Sequence, residues 1–158
     1  MGFLTKALIE EAIAYALPTV RMMILTHTWG PKGVVIAVDA KGIEEPVVVV
    51  MPELGPEAQW ANEWPGKNFQ EIAIAKARLA RRLGMSTRSA IANHLWSLEP
   101  GDYLYPGGVA ENTDVGVGVS GAYGDTDESA AWVIWNLIYF LCSVKRFKME
   151  EAGIKKIQ

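Results

Sequence analysis

Apolar positions at Leu4, Leu8, Ala12 and Tyr15 recur at helical spacing, so the chain opens on an amphipathic helix that Pro18 is expected to end or kink. The pattern then changes period. Gly33–Asp39 (GVVIAVD) and Pro46–Met51 (PVVVVM) are unbroken β-branched runs, and the turn-prone AKGIEE between them predicts a hairpin. Unbroken runs suit strands covered on both faces, by helices, a partner subunit or the loop that follows. That loop, Pro52 to Asn68, carries Trp60 and Trp64 among prolines and glycines, and loops of this length serve function or form interfaces. Helical spacing returns over Phe69–Leu83, with Ile72, Lys76, Leu79 and Leu83 along one side and Gly84 as a C-cap. Thr87 reads as the N-cap of a short helix running to about Trp96. A turn at Glu99–Asp102 precedes YLYPGGV, a strand bent at Pro106-Gly107-Gly108.

Val115, Val117 and Val119 then alternate with Gly116 and Gly118, a strand with valines on one face and bare backbone on the other. Two readings stand for those glycines: a helix packed onto the stripped face, or a floor for a ligand. A last helix follows, capped by Asp125 or Thr126, with Asp127 and Glu128 favoured at its positive end. The order helix, two strands, two helices, two strands, helix predicts an α+β fold, an antiparallel sheet with helices packed on it. Residues 1–158 read as one domain, without internal repeat or low-complexity tract.

Half of the residues are hydrophobic and 21% are charged, enough for a sizeable core. The net charge of −3 argues against nucleic acid as a partner, since that needs clustered phosphate-neutralising cations. Lys76, Arg78, Arg81, Arg82 and Arg88 do gather in one stretch, but on a helix they spread over a solvated surface. Cys142, alone in the sequence, rules out a disulfide framework and a cysteine zinc site. The apolar run Ala130–Val144 falls about one turn short of a membrane span. With no signal-peptide pattern at the start, a cytoplasmic protein that does not enter the membrane is expected.

Two histidines, His27 and His94, cannot supply a three- or four-histidine metal site within one chain, but either could be a single axial ligand to haem iron. His27, in Thr26-His27-Thr28-Trp29 before a buried strand, is the first candidate for ligand or acid–base work and His94 the second. Lys76 shares an apolar stripe, so its ammonium must snorkel out or meet an anion; Thr87 and Arg88 could give donors to the same anion. Gly107, Gly108 and the strand end at Ser120 offer unobstructed backbone amides. Trp60, Trp64, Trp96, Tyr103 and Tyr105 could wall a flat pocket. No P-loop or GxSxG elbow occurs, nor a dinucleotide GxGxxG in its proper strand–helix context.

The PGGV turn, the GVSG strand end, the Asp-Glu helix start, VIAVDAKG (Val35 to Gly42) and EIAIAKARLARRLGMSTR (Glu71 to Arg88) together resemble the GlcG/HbpS-like family of haem-binding and so-called haem-degrading proteins. The resemblance implies a profilin-like layer architecture, assembly into homo-oligomers, and a catabolic accessory role. The Trp-bearing loop is longer than in that family. The reading it leads to is a small-molecule-binding protein that takes haem or a related planar carboxylate at a subunit interface. There Lys76 and Arg88 meet carboxylates and His27 or His94 meets iron. The alternative is a cofactor-independent isomerase, hydratase or lyase acting on a small acidic or aromatic metabolite, with His27, Asp127 or Glu128 moving a proton. A third is a pure assembly module with tryptophans filling its interfaces.

Overall fold

The computed structural model describes residues 3–26, 33–54 and 68–153. Helix α1 (Lys6–Leu25) begins where the Thr5 hydroxyl accepts the Leu8 N–H at 3.1 Å. Leu8, Ile9, Ala12, Ile13, Ala16, Val20 and Ile24 form its buried stripe. Of the end or kink expected at Pro18, the end does not occur, and α1 runs on past this residue. Pro18 and Ala14, whose carbonyl the proline leaves without an intrahelical donor, lie on the exposed side, where water can take that carbonyl.

Strands β1 (Val35–Ala40) and β2 (Val47–Val50) form the expected hairpin, in register from Val35↔Val50 to Val38↔Val47. After a 3-10 turn at Pro52–Leu54 and the segment 55–67, helix α2 (Phe69–Leu83) starts at Asn68, whose side chain caps Glu71 N–H. It ends at Gly84, in the left-handed conformation at φ 67°. Both bounds match the sequence reading. Helix α3 (Thr87–Asn93) is capped by Ser86 rather than Thr87, and only a 3-10 turn at Leu95–Ser97 continues it. Strands β3 (Gly108–Val109) and β4 (Val115–Ser120) complete a four-stranded antiparallel sheet of order β2-β1-β4-β3. Helix α4 (Gly124–Glu151) follows, its N-cap position held by Tyr123 instead of Asp125 or Thr126.

The sheet is covered on both faces, as the unbroken β1 run suggested. Ile36 and Val38 with Val115, Val117 and Val119 meet α1 and α4, while Val35 and Ala37 meet Ala73 and Ala77 of α2. Burying each such valine or isoleucine contributes roughly 1.5–3 kcal/mol. The stripped face of β4 seats α2. A Cβ on Gly118 would stand 2.1 Å from the Ala73 carbonyl oxygen, and one on Gly116 would stand 2.2 Å from that of Ala77. Of the two sequence readings for these glycines, close helix packing is the one realised. No helix among the described residues is long and apolar enough to cross a membrane. Cys142 is half-buried, and burial pushes its thiol up.

Candidate functional site

The sequence candidates converge where β4 ends, α4 begins and the Pro106–Gly108 turn crosses between them. Lys76 reaches off α2 into this junction. Its Nζ donates to the Val119 carbonyl at 2.9 Å and lies 3.4 Å from Asp127 Oδ2. The other Asp127 oxygen accepts the Ala122 N–H at 3.0 Å. Both side chains are almost sealed, with Lys76 and Asp127 each 3% exposed. Lys76, which had to snorkel or meet an anion, therefore meets one from its own chain.

Gly107 makes room for this pair. It sits at φ 125°, and a Cβ there would stand 2.7 Å from Lys76 Nζ and from the Val119 oxygen. Its carbonyl accepts the Val119 N–H at 2.9 Å. Gly108 lies against the Lys76 carbonyl of α2. Thr87, buried at the start of α3, ties the turn down: its hydroxyl donates to the Tyr105 carbonyl at 3.0 Å and accepts the Gly108 N–H at 3.1 Å. Ser120 is buried at the end of β4. The Gly108 amide, expected to be unobstructed, is thus taken by Thr87, and Gly107 is the glycine that stands over the internal ion pair.

Burial is the larger influence on Asp127 and pushes its carboxyl up to about 6, against the opposing pull of Lys76 and the Ala122 N–H. The same burial pushes the Lys76 ammonium down, against the pull of Asp127. Because the folded value for Asp127 exceeds the ordinary 3.8, the folded state holds the proton more tightly. Its contribution to stability is present in full below the unfolded value and is lost as pH rises through about 6. A carbon-detected NMR titration should place the Asp127 midpoint near 6. Wild type should lose stability relative to Asp127→Asn between pH 4 and 7; a midpoint near that of an exposed aspartate would contradict the burial account.

Arg88 forms the outer rim of the junction. Its Nε donates to Glu128 Oε2 at 2.6 Å and its Nη2 to Asp125 Oδ1, linking α3 to the first turn of α4. Unlike Lys76, it faces solvent. Beside it the surface turns apolar: Pro106 packs on Gly124, between exposed Leu104 and exposed Tyr123. Tyr103 and Tyr105 stack at 6.3 Å. Trp96 is 80% exposed, and His94, the C-cap of α3, meets it edge-on at 5.6 Å between centroids. Arg82 holds this segment to α2, donating to the Ser97 carbonyl and to Asp102.

The structure thus gathers Lys76, Arg88, Gly107, Gly108, Ser120, Asp127 and Glu128 at one junction, with His94 on the neighbouring segment. His27, Trp60 and Trp64 lie outside the described residues. The pairing of Lys76 with Asp127, 51 positions apart, was not read from the sequence. Its signal was present in halves: a lysine on an apolar stripe, and an aspartate one turn ahead of Ala130, Ala131 and Ile134 on a buried helix face. Among the described residues no group of three or more His, Cys, Asp or Glu side chains could hold a metal ion.

The architecture is similar to that of a solved protein. The crystal structure of Klebsiella pneumoniae protein ORFY, described under the family DUF336, aligns with a TM-score of 0.59. The alignment covers 88% of this chain and 92% of that one, at 18% sequence identity. At that identity the likeness is one of fold. No protein-family model matches the chain. No curated protein matches it either.

Proposed function

We propose that this chain is a GlcG/HbpS-like small-molecule-binding domain that holds a planar, carboxylate-bearing ligand, of which haem is the type, where two copies meet. The observation that carries this reading is the exposure of Trp96, Leu104 and Tyr123, on the segments that follow α3 and precede α4, the two helices Arg88 links. Solvent-exposed rings of that size favour a flat apolar partner, and a guanidinium at the edge suits a carboxylate. Further large apolar groups stand exposed on α1 and α4, among them Tyr15, Met22, Tyr139 and Phe140, in keeping with assembly.

The residues of this surface fit a haem in kind. His94 offers an imidazole next to the Trp96 ring, Arg88 would take a propionate in place of the exposed Asp125, and Leu104 and Tyr123 would cover the macrocycle. Bound haem would supply an iron centre, and the chain's own part is to orient and shield the ring. In this arrangement the Lys76–Asp127 pair braces the turn from within instead of touching the ligand.

Titrating the protein with haemin should give a saturable Soret shift. Trp96→Ala and Arg88→Ala should each weaken binding about tenfold, and His94→Ala should move the band. No saturable shift, or one that ignores all three substitutions, would remove the reading.

A second reading, a cofactor-independent isomerase, hydratase or lyase, has one observation in its favour. Asp127 has a carboxyl held near neutrality beside a lysine, the kind of perturbed group that proton transfer uses. The binding reading ranks first because that carboxyl is sealed from solvent.

A further inference from the structure

We propose that the groove beside the C-terminal turns of α2 is a second binding site, for a small oxyanion-bearing ligand, a carboxylate or a phosphate. The groove is lined by Arg78, Arg81 and Arg82 of α2, by Asp39 near the end of β1, and by Thr113 ahead of β4. The three arginines stand at i, i+3 and i+4, neighbouring positions on one face of a helix. Like charges at that spacing oppose helix formation, so the chain holds them together against a cost.

Two of the three are fixed. Arg81 lies between Asp39 Oδ2, 3.4 Å from its Nη1, and the Thr113 carbonyl, which accepts its Nε–H at 3.1 Å. Arg82 binds Asp102 Oδ2 at 2.6 Å and the Ser97 carbonyl at 3.2 Å, with Glu99 at 3.6 Å. Arg78 is exposed and makes no ion pair or hydrogen bond among the described residues. Carboxylates balance its two neighbours, so that of the three arginines Arg78 alone has no carboxylate partner among the described residues, in a chain whose net charge is −3. Arg81 and Arg82, oriented by their own partners, form a fixed border to the groove, and the planar fork of Arg78 matches the two oxygens of a carboxylate or phosphate.

The space is small, about 270 Å³, just under the range of pockets for drug-sized molecules. It suits a single small anion or metabolite, and it shares no lining residue with the surface beside Arg88. The Arg81–Asp39 contact would orient such a ligand, with Asp39 repelling any second negative group at that end and Arg78 receiving the oxyanion.

Inorganic phosphate and acetate, titrated separately and followed by amide chemical shifts at low ionic strength, distinguish the two oxyanions. At least one should bind saturably, shift Arg78, Arg81 and Thr113, and weaken as salt rises. Arg78→Gln should weaken binding at least tenfold, and Arg78→Lys should lie between it and wild type. Arg78 is exposed, so neither variant disturbs the core. Trp96→Ala should bind the same anion as wild type does, which keeps this test independent of the haemin result. No saturable shift with either probe, or affinity unchanged in Arg78→Gln, would overturn the proposal.

Discussion

Lys76→Met will destabilise the protein by about 3–5 kcal/mol, measured by urea denaturation at pH 7. The substitution keeps the length and apolar stem of the side chain but strips Asp127 of its counter-charge in a junction where both groups are sealed from water. The stranded carboxylate must then stay charged without a partner or take up a proton, and the Val119 carbonyl loses its donor as well. Most of the cost belongs to the abandoned partner and not to the pair itself. A Lys76→Met/Asp127→Asn protein should therefore recover most of the loss, because a neutral amide of the same size removes the stranded charge and still accepts the Ala122 N–H. The cycle would show strong coupling between the two positions. If the single substitution costs under 1 kcal/mol, Lys76 is not held as described.

A comparable loss should follow Gly118→Ala, at about 3 kcal/mol, the upper end of the usual cost of overpacking. One methyl is added, yet it would stand 2.1 Å from the Ala73 carbonyl oxygen and 2.6 Å from the Ala77 nitrogen, both backbone atoms of α2. Backbone in mid-helix cannot step aside alone, so the whole helix must lift off β4 and carry Lys76 with it. In a domain of this size the midpoint of thermal unfolding should fall by roughly 6–12 °C. Gly42→Ala serves as the control: nothing lies within 4 Å of the added methyl, and only its positive φ is strained. That variant should lose about 1–2 kcal/mol. Equal losses in the two proteins would mean that α2 does not rest on the β4 backbone.

These two effects also mark what the sequence could and could not disclose. Period and caps carried the architecture: the hairpin, the limits of α2 and the alternation in β4 are local signals, and each survives in three dimensions. Local capping failed where tertiary demands took over. Thr87 gives its hydroxyl to the Pro106–Gly108 turn, so Ser86 caps α3. Asp125, one of the two expected caps of α4, pairs with Arg88 instead, and Tyr123 holds the N-cap position without a side-chain bond. Pro18 is tolerated because its side of α1 faces water, which periodicity alone does not weigh.

The candidate site was legible as a set of residues and not as an arrangement. Lys76, Arg88 and Asp127 stand out singly as charges in unusual places, but which carboxylate each one meets depends on how α2 and α4 cross the sheet. Sequence distance hides that crossing. The arginines of α2 read as a solvated face for the same reason: the fixed positions of Arg81 and Arg82 come from Asp39, Thr113 and Asp102, partners brought in by the fold.

The binding surface beside Arg88 is best tested by mapping amide chemical shifts during titration with protoporphyrin IX, a flat dicarboxylate without iron. Saturable shifts gathered at Arg88, Trp96, Leu104 and Tyr123, with Arg78 and Gly42 unmoved, are the expected result. Absence of saturable shifts, or a response scattered away from those four residues, would contradict it.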